Sequence, residues 1–219
     1  MYDLSSNRDE IRKKIVDAAL KIADDEGFEA VSMRRIATEV GMGTMSLYTY
    51  VKSKDELVYL VSDQIGSEIL LDEVPGEWRE ALSAIARKSR AVMIKRPWVM
   101  RVGVDQVKQM PPSFVRHVDQ SLQAVEPLGV DRETGMEILR AVDSLAMGTA
   151  LDDAHESEMS AEKQQEFIVA LETAGRELGL PRIAAAATHG MTHAPVFDQA
   201  LKWLLDGIEA EHGSGAASE

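Results

Sequence analysis

Apolar residues recur at three- and four-residue steps along most of the chain. Ile11, Ile15, Ala18, Ala19, Ile22 and Ala23 make one such stripe, with Arg12, Lys13, Asp17, Lys21 and Asp24 on the other side. That pattern predicts an amphipathic helix over about 9–25, stopped by Gly27. Phe28 and Val31 follow as apolar anchors, and Ser32, a good N-cap, opens a short helix, "MRRIATEV", with Ile36, Ala37 and Val40 inward. Gly41 and Gly43 bound a tight turn before a third short helix over about 44–50. Ser53 to Glu56 form an S-x-x-E capping box that starts a fourth helix through Leu57, Leu60, Val61, Gln64, Ile65 and Ile69. The Pro75-Gly76 break places a boundary near 70–76. Beyond it the spacing predicts helices over about 78–95, 99–107, 112–125, 131–155, 160–178 and 195–210, while "LPRIAAAATHGMTHAP" is poorly patterned and reads as a loop or a short helical turn. No stretch alternates as a strand would, so an all-α fold is expected, with a small N-terminal unit over 1–70, a helical body over 71–212 and a polar flexible tail over 213–219.

The second and third helices and the turn between them have the lengths of a helix-turn-helix, whose second helix enters the major groove of DNA. Leu47 and Val51 fall inward with Ile22, Ile36 and Leu57, which turns Thr44, Met45, Ser46, Tyr48 and Tyr50 outward. Such side chains bond phosphates and base edges, touch thymine methyls, and carry no negative charge. Arg34 and Arg35 on the second helix, and Lys52 and Lys54 at the start of the fourth, add a basic rim. Total charge changes the weight of this reading. The chain carries a net −13, and the first sixty residues hold nine Lys/Arg against eleven Asp/Glu, so most of the excess acid lies in the body. Affinity for DNA comes largely from neutralised phosphates, so binding must rest on local geometry.

The run "IVDAALKIADDEGFEAVSMRRIATEVGMGTMSLYTYVKSKDELVYLV" resembles the DNA-binding domain of the tetracycline-repressor (TetR) family, with its R-x-I-A-x-x-V-G and S-L-Y-x-Y-V-x-x-K elements in place over residues 11–60. More weakly, "GEWREALSAIARKSRAVMIKRPWVM", "LRAVDSLAMGTAL" and "FDQALKWLLDGIEA" resemble that repressor's C-terminal domain, with Arg96 standing where histidine is more usual before Pro97-Trp98. The resemblance implies a homeodomain-like three-helix unit joined by a long helix to a ligand-binding and dimerisation body. It further implies a homodimer on a double-stranded palindromic operator, released by a small-molecule effector. The family's DNA-contacting positions fall on Ser32, Arg34, Thr44, Met45, Ser46, Tyr48, Tyr50 and Lys54, with Met33 where a small hydroxyl residue is common.

In the body, Met93, Trp98, Met110, Phe114, His117, Met136, Asp143 and Met147 are candidates to line a cavity for a largely hydrophobic effector. Asp143 stands out, because an acid beside the apolar face of Leu139, Val142 and Ala146 needs a partner. Ile138, Leu145, Leu201, Leu204, Leu205 and Ile208 make stripes that predict a two-fold dimer seam between helices 131–155 and 195–210, with Gly148, Ala146 and Ala150 thinning the first for close contact. His189 and His193 are four apart, but Gly190 and Pro195 bracket them and no H-E-x-x-H motif is present, so no metal is expected. No cofactor motif or catalytic elbow is visible, and an enzyme is not expected. There is no cysteine, no long apolar run, and "MYDLSSNRDEIRKK" is charged where an export signal would be apolar, so the cytoplasm is the expected compartment and no membrane is implied. A DNA-binding regulator controlled by a protein partner, or by no ligand, is the alternative reading.

Overall fold

A computed structural model describes residues 4–102, 109–189 and 196–213. Among the described residues every regular element is helical. In chain order these are α1 (Leu4–Glu26), α2 (Met33–Glu39), α3 (Thr44–Tyr50), α4 (Lys54–Ile69), α5 (Trp78–Lys95), α6 (Trp98–Val102), α7 (Pro112–Val125), α8 (Arg132–Glu158), α9 (Ala161–Glu177), α10 (Pro181–His189) and α11 (Phe197–His212), with 3-10 turns at Phe28–Ala30 and Glu126–Leu128. The first helix begins at Leu4, earlier than the apolar stripe, because the stripe marks only the part that packs. The segment expected as a loop or short turn contains α10; Pro181 at its start has a φ suited to a first helical residue, and the alanine run after it has the highest intrinsic helix propensity.

Two apolar cores organise the chain. The first gathers Ile15, Ala19, Ile22, Ile36, Leu47, Val51 and Leu57, all at most 1% exposed, with Val58, Val61 and Ile65 continuing along α4. It also takes in Val92 from α5, with Trp98 and Val99 packed against it. The second joins Leu82 and Ile85 of α5, Val125 of α7, Leu139, Val142 and Ala146 of α8, and Leu201 and Leu205 of α11. Arg79 fastens α5 to α11 through Asp206 and Glu209 at 2.9 and 2.7 Å. Between the cores, the Gln120 side chain bonds both the N–H and the carbonyl of Leu71 at 3.0 and 2.7 Å, holding the chain where it leaves α4.

The expected dimer stripe is corrected here. Ile138, Leu201, Leu205 and Ile208 are buried in the chain's own second core, with Leu145 and Leu204 packed against it. Ala146 and Ala150 likewise face inward, where α8 lies close on α5. What α8 and α11 turn outward is a different set, Leu151 and Trp203, beside Gly148 and Gly207, where an added Cβ would meet nothing within 4 Å. Helical periodicity finds the face that is buried first, and within a monomer that face is the core.

Candidate nucleic-acid interface and the cavity behind it

The helix-turn-helix is built by short-range hydrogen bonding. The Ser32 hydroxyl accepts from the Arg35 N–H at 3.2 Å and caps α2. At the other end, the Met42 N–H reaches the Ala37 carbonyl at 2.9 Å and the Gly41 N–H reaches Thr38 at 3.2 Å, the paired bonds of a Schellman turn. That turn needs a left-handed residue, and Gly41 supplies it at φ 70°. Leu47 then plugs α3 into the first core, and the opposite face of α3 stays free.

That face carries Met45, at 82% exposed, together with Ser46, Tyr48 and Thr49. Thr44 is half-buried, and Tyr50 is half-buried against the first core, so its ring contributes to the unit's packing as well as to its surface. Ser32, Arg34 and Lys54 are exposed, and neither Arg34 nor Lys54 forms an ion pair among the described residues. Arg35 does not share this freedom. It pairs with Glu26 at 2.7 Å and Glu39 at 2.8 Å, and its hydrogen bonds to these two acids, Glu26 first, raise its pKa. Glu39 is bonded in turn by Lys21 at 2.6 Å. Of the two arginines, Arg34 is the one without an ion pair among the described residues.

Sequence reasoning missed what holds α3 at its far end. Arg8 donates to the Thr49 carbonyl at 3.3 Å and Arg12 to the Tyr50 carbonyl at 3.0 Å, so two cations sit on the negative end of this helix. Arg12 also pairs with Glu56, whose other oxygen accepts from the Lys52 N–H at 2.7 Å. The expected capping box is thus half formed: Ser53 caps Glu56 N–H at 3.1 Å, while the Glu56 carboxylate turns to Lys52 and Arg12 instead of the Ser53 N–H. Arg12 read as one more charge on a solvated face, and no sequence signal distinguishes a charge whose partners are carbonyls.

The far side of α4 forms one wall of a cavity of about 280 Å³ that α5, α6, α7 and single residues of the 3-10 turn and α8 complete. Six predicted residues line it: Met93, Trp98, Met110, Phe114, His117 and Met147. Met136 and Asp143 do not. Met136 is exposed elsewhere on α8, and the Asp143 carboxylate, half in solvent, faces His117 Nε2 at 3.8 Å. Asp143 lies at the edge of its helix's apolar face, so it needs no buried partner. The sequence reading missed Phe28, Val58, Val61 and Ile65 as lining; all four also belong to the first core.

One wall ties this space to the N-terminal unit. The Trp98 ring stacks on Phe28 with centroids 5.4 Å apart, and its indole N–H donates to Asp24 of α1 at 2.8 Å. Arg96, 6% exposed, reaches Asp24 at 3.2 Å and Glu68 of α4 at 2.8 Å. Burial pushes the Glu68 carboxyl upward, but the hydrogen bond and charge of Arg96, with Lys95, outweigh it and leave its pKa below the ordinary value. Among the described residues no group of three metal-binding side chains is assembled, and His193, half of the histidine pair, lies outside them.

The chain is similar to known proteins over nearly its whole length. Residues 15–59 match the family "Bacterial regulatory proteins, tetR family", and residues 72–212 match "Tetracyclin repressor-like, C-terminal domain". The HTH-type transcriptional repressor DrrR1 of Streptomyces coeruleorubidus is 32% identical over 208 residues, covering 90% of this chain and 76% of its own. An HTH-type transcriptional regulator of Saccharopolyspora erythraea is 25% identical, covering 91% and 85%. Among solved structures, the Streptomyces coelicolor TetR family protein ActR in complex with actinorhodin superposes with a TM-score of 0.77 at 25% identity, covering 94% of this chain and 98% of that one.

Proposed function

The chain belongs to the tetR family of bacterial regulatory proteins and is a transcriptional regulator, not an enzyme, and from that premise we propose that it represses by binding a palindromic operator as a homodimer and lets go when a small, largely hydrophobic effector fills the cavity behind α4. The observation that carries this reading is the double use of α4. Lys54 in its first turn is exposed just after α3, and Val61, Ile65 and Ile69 along its length line the cavity. At about 1.5 Å per residue the helix is a lever roughly 24 Å long, so a tilt imposed at the cavity moves α3 at the other end.

Outward-facing Trp203 and Leu151, flanked by open Gly148 and Gly207, support a seam that is the same patch on both protomers. The two α3 helices would then fall about 34–36 Å apart, one turn of DNA. Ser32, Arg34 and Lys54 serve phosphates in this scheme, and Met45, Ser46 and Tyr48 the base edges, with Thr44 and Tyr50 at the margins. ActR, solved with actinorhodin, lends support to a small organic effector. Release requires the effector to favour the DNA-incompetent form, by about 5 kcal/mol for a nearly complete switch. The test is selection of a binding sequence from random DNA by the purified chain, followed by a gel shift with a panel of apolar small molecules. A palindrome released by a compound that also raises the melting temperature supports the reading; a protein that selects no sequence overturns it.

A further inference from the structure

Apolar side chains dominate the cavity lining, and its polar side chains are Ser62, Ser113 and His117. The three are not equivalent. Ser62 is half-buried, and His117 Nε2 turns toward Asp143 at 3.8 Å. Ser113, by contrast, is 3% exposed, and its hydroxyl has no hydrogen-bond partner among the described residues. The backbone of the same residue is satisfied, since its N–H donates to Asp63 of α4 at 2.8 Å. The hydroxyl sits in a notch made by a missing side chain: a Cβ added at Gly66 would lie 2.2 Å from Ser113 Oγ, and Gly66 also lines the cavity. Ser89, the other buried hydroxyl without a partner among the described residues, is not part of this lining.

An unmade hydrogen bond beside an apolar wall is costly, and the cost is removed when the side chain turns out of the notch, by rotation about its one χ angle, to meet a partner. Ser113 stands in the first turn of α7, a helix of 14 residues, whose positive end favours an electron-rich partner. We propose that Ser113 is the polar anchor of the cavity: its hydroxyl donates to a carbonyl oxygen on an otherwise apolar molecule, and so selects such molecules over the corresponding hydrocarbons. The proposal rests on the reading of the cavity as the effector site. Because the anchor lies against Gly66 and is tied to Asp63, an oxygen that draws on it acts at the closest approach of α7 to α4.

The matched pair 1-tetralone and tetralin, which differ by one carbonyl oxygen, measures this by calorimetric titration of the full chain. The ketone is expected to bind about fivefold more tightly, the worth of one net hydrogen bond. In Ser113→Ala that ratio falls to about one, and thermal melting shows the variant folded, at or above the parent midpoint, since it loses an unsatisfied buried group. Ser121→Ala removes a buried hydroxyl of the same helix that bonds the His117 carbonyl at 2.7 Å and stands outside the lining, and it keeps the ratio. A ratio that survives Ser113→Ala, one that is absent in the parent, or one that collapses equally in Ser121→Ala overturns the anchor. Tetralin bound without preference sinks the anchor alone; a chain that binds neither compound sinks the cavity reading with it.

Discussion

In the N-terminal unit Leu47, Val51 and Ile36 are fully buried and Arg8, Arg12 and Arg35 all have partners, and the large apolar side chain left most open is Met45, on the free face of α3. The body distributes its apolar area differently. Trp203 is 64% exposed and Leu178 72%, Phe167 stands out on α9 and Leu180 in the turn before α10, and among the described residues two buried hydroxyls lack partners. One region is finished as a single chain; the other has surfaces and an interior space that fit additional molecules. Where such exposed aromatic and aliphatic groups lie together, they mark an interaction site in a folded protein. Under the proposed function, the part that reads DNA is the well-packed one, and a second copy and an effector would act on the body, where there is room for them.

The largest expected effect comes from removing the second copy. Trp203→Glu, which places a charge on the proposed seam, should leave a monomer at micromolar concentration by sedimentation and weaken operator binding at least about 100-fold, because the second half-site loses its tether. A folded dimer of undiminished affinity would show that the exposed face of α11 is not the seam, and the contrast between the two regions would need another cause.

The same contrast explains how much could be read beforehand. Ile15, Ile36, Leu47 and Val51 were legible as a core because each packs within sixty residues of chain at helical spacing, and local pattern is what a sequence displays. The body's stripes were equally visible, yet Leu201 and Leu205 were assigned to the wrong partner, since spacing says that a face is buried and not against what. Trp203, out of phase with that stripe, was the signal for a second apolar face. Of the proposed effector contacts, Met93, Phe114 and Met147 were found by side-chain type, whereas Phe28 and Val61 were hidden by doing two jobs. Ser113 could not be found at all, because an unsatisfied hydroxyl is a property of three-dimensional surroundings.

On the finished side, single contacts should matter less than the seam but act without loss of fold. Tyr48→Ala and Lys54→Ala should each weaken operator binding by about 1–3 kcal/mol at unchanged melting temperature. Only Lys54→Ala should also flatten the salt dependence, by about one ion per half-site, since it alone removes a phosphate-neutralising charge. Gel shifts at several salt concentrations check both; equal slopes would take Lys54 off the phosphate.

Where the two regions meet, Arg96 should show its weight in stability. Arg96→Met leaves Asp24 and Glu68 facing each other without their shared cation and should cost about 2 kcal/mol, less than the ~3–5 of a fully buried pair because these carboxylates keep 33% and 27% exposure. The sign with pH follows from Glu68, whose folded pKa is lowered. Its contribution is complete above the ordinary glutamate value of about 4.3 and is lost as pH falls through the lower folded value. Denaturant melts of parent and variant should therefore differ most at neutral pH and converge in acid; a gap that stays constant would mean that Arg96 acts by packing and not by charge.

The smallest effect tests whether a residue can serve both the fold and the DNA. Ser32 caps α2 through Arg35 N–H at 3.2 Å, and as an exposed hydroxyl it keeps its own proton to donate to a phosphate. Ser32→Ala removes both abilities and should lower stability by about 1 kcal/mol while weakening operator binding modestly. Ser32→Asp separates them. Aspartate caps as well as serine, so the melting temperature should hold, yet its charge would face the phosphate backbone, and operator affinity should fall about tenfold, more at low salt than at high. If Ser32→Asp bound operator like the parent at every salt concentration, Ser32 would be a cap and nothing more, and the DNA-facing surface would begin at Arg34.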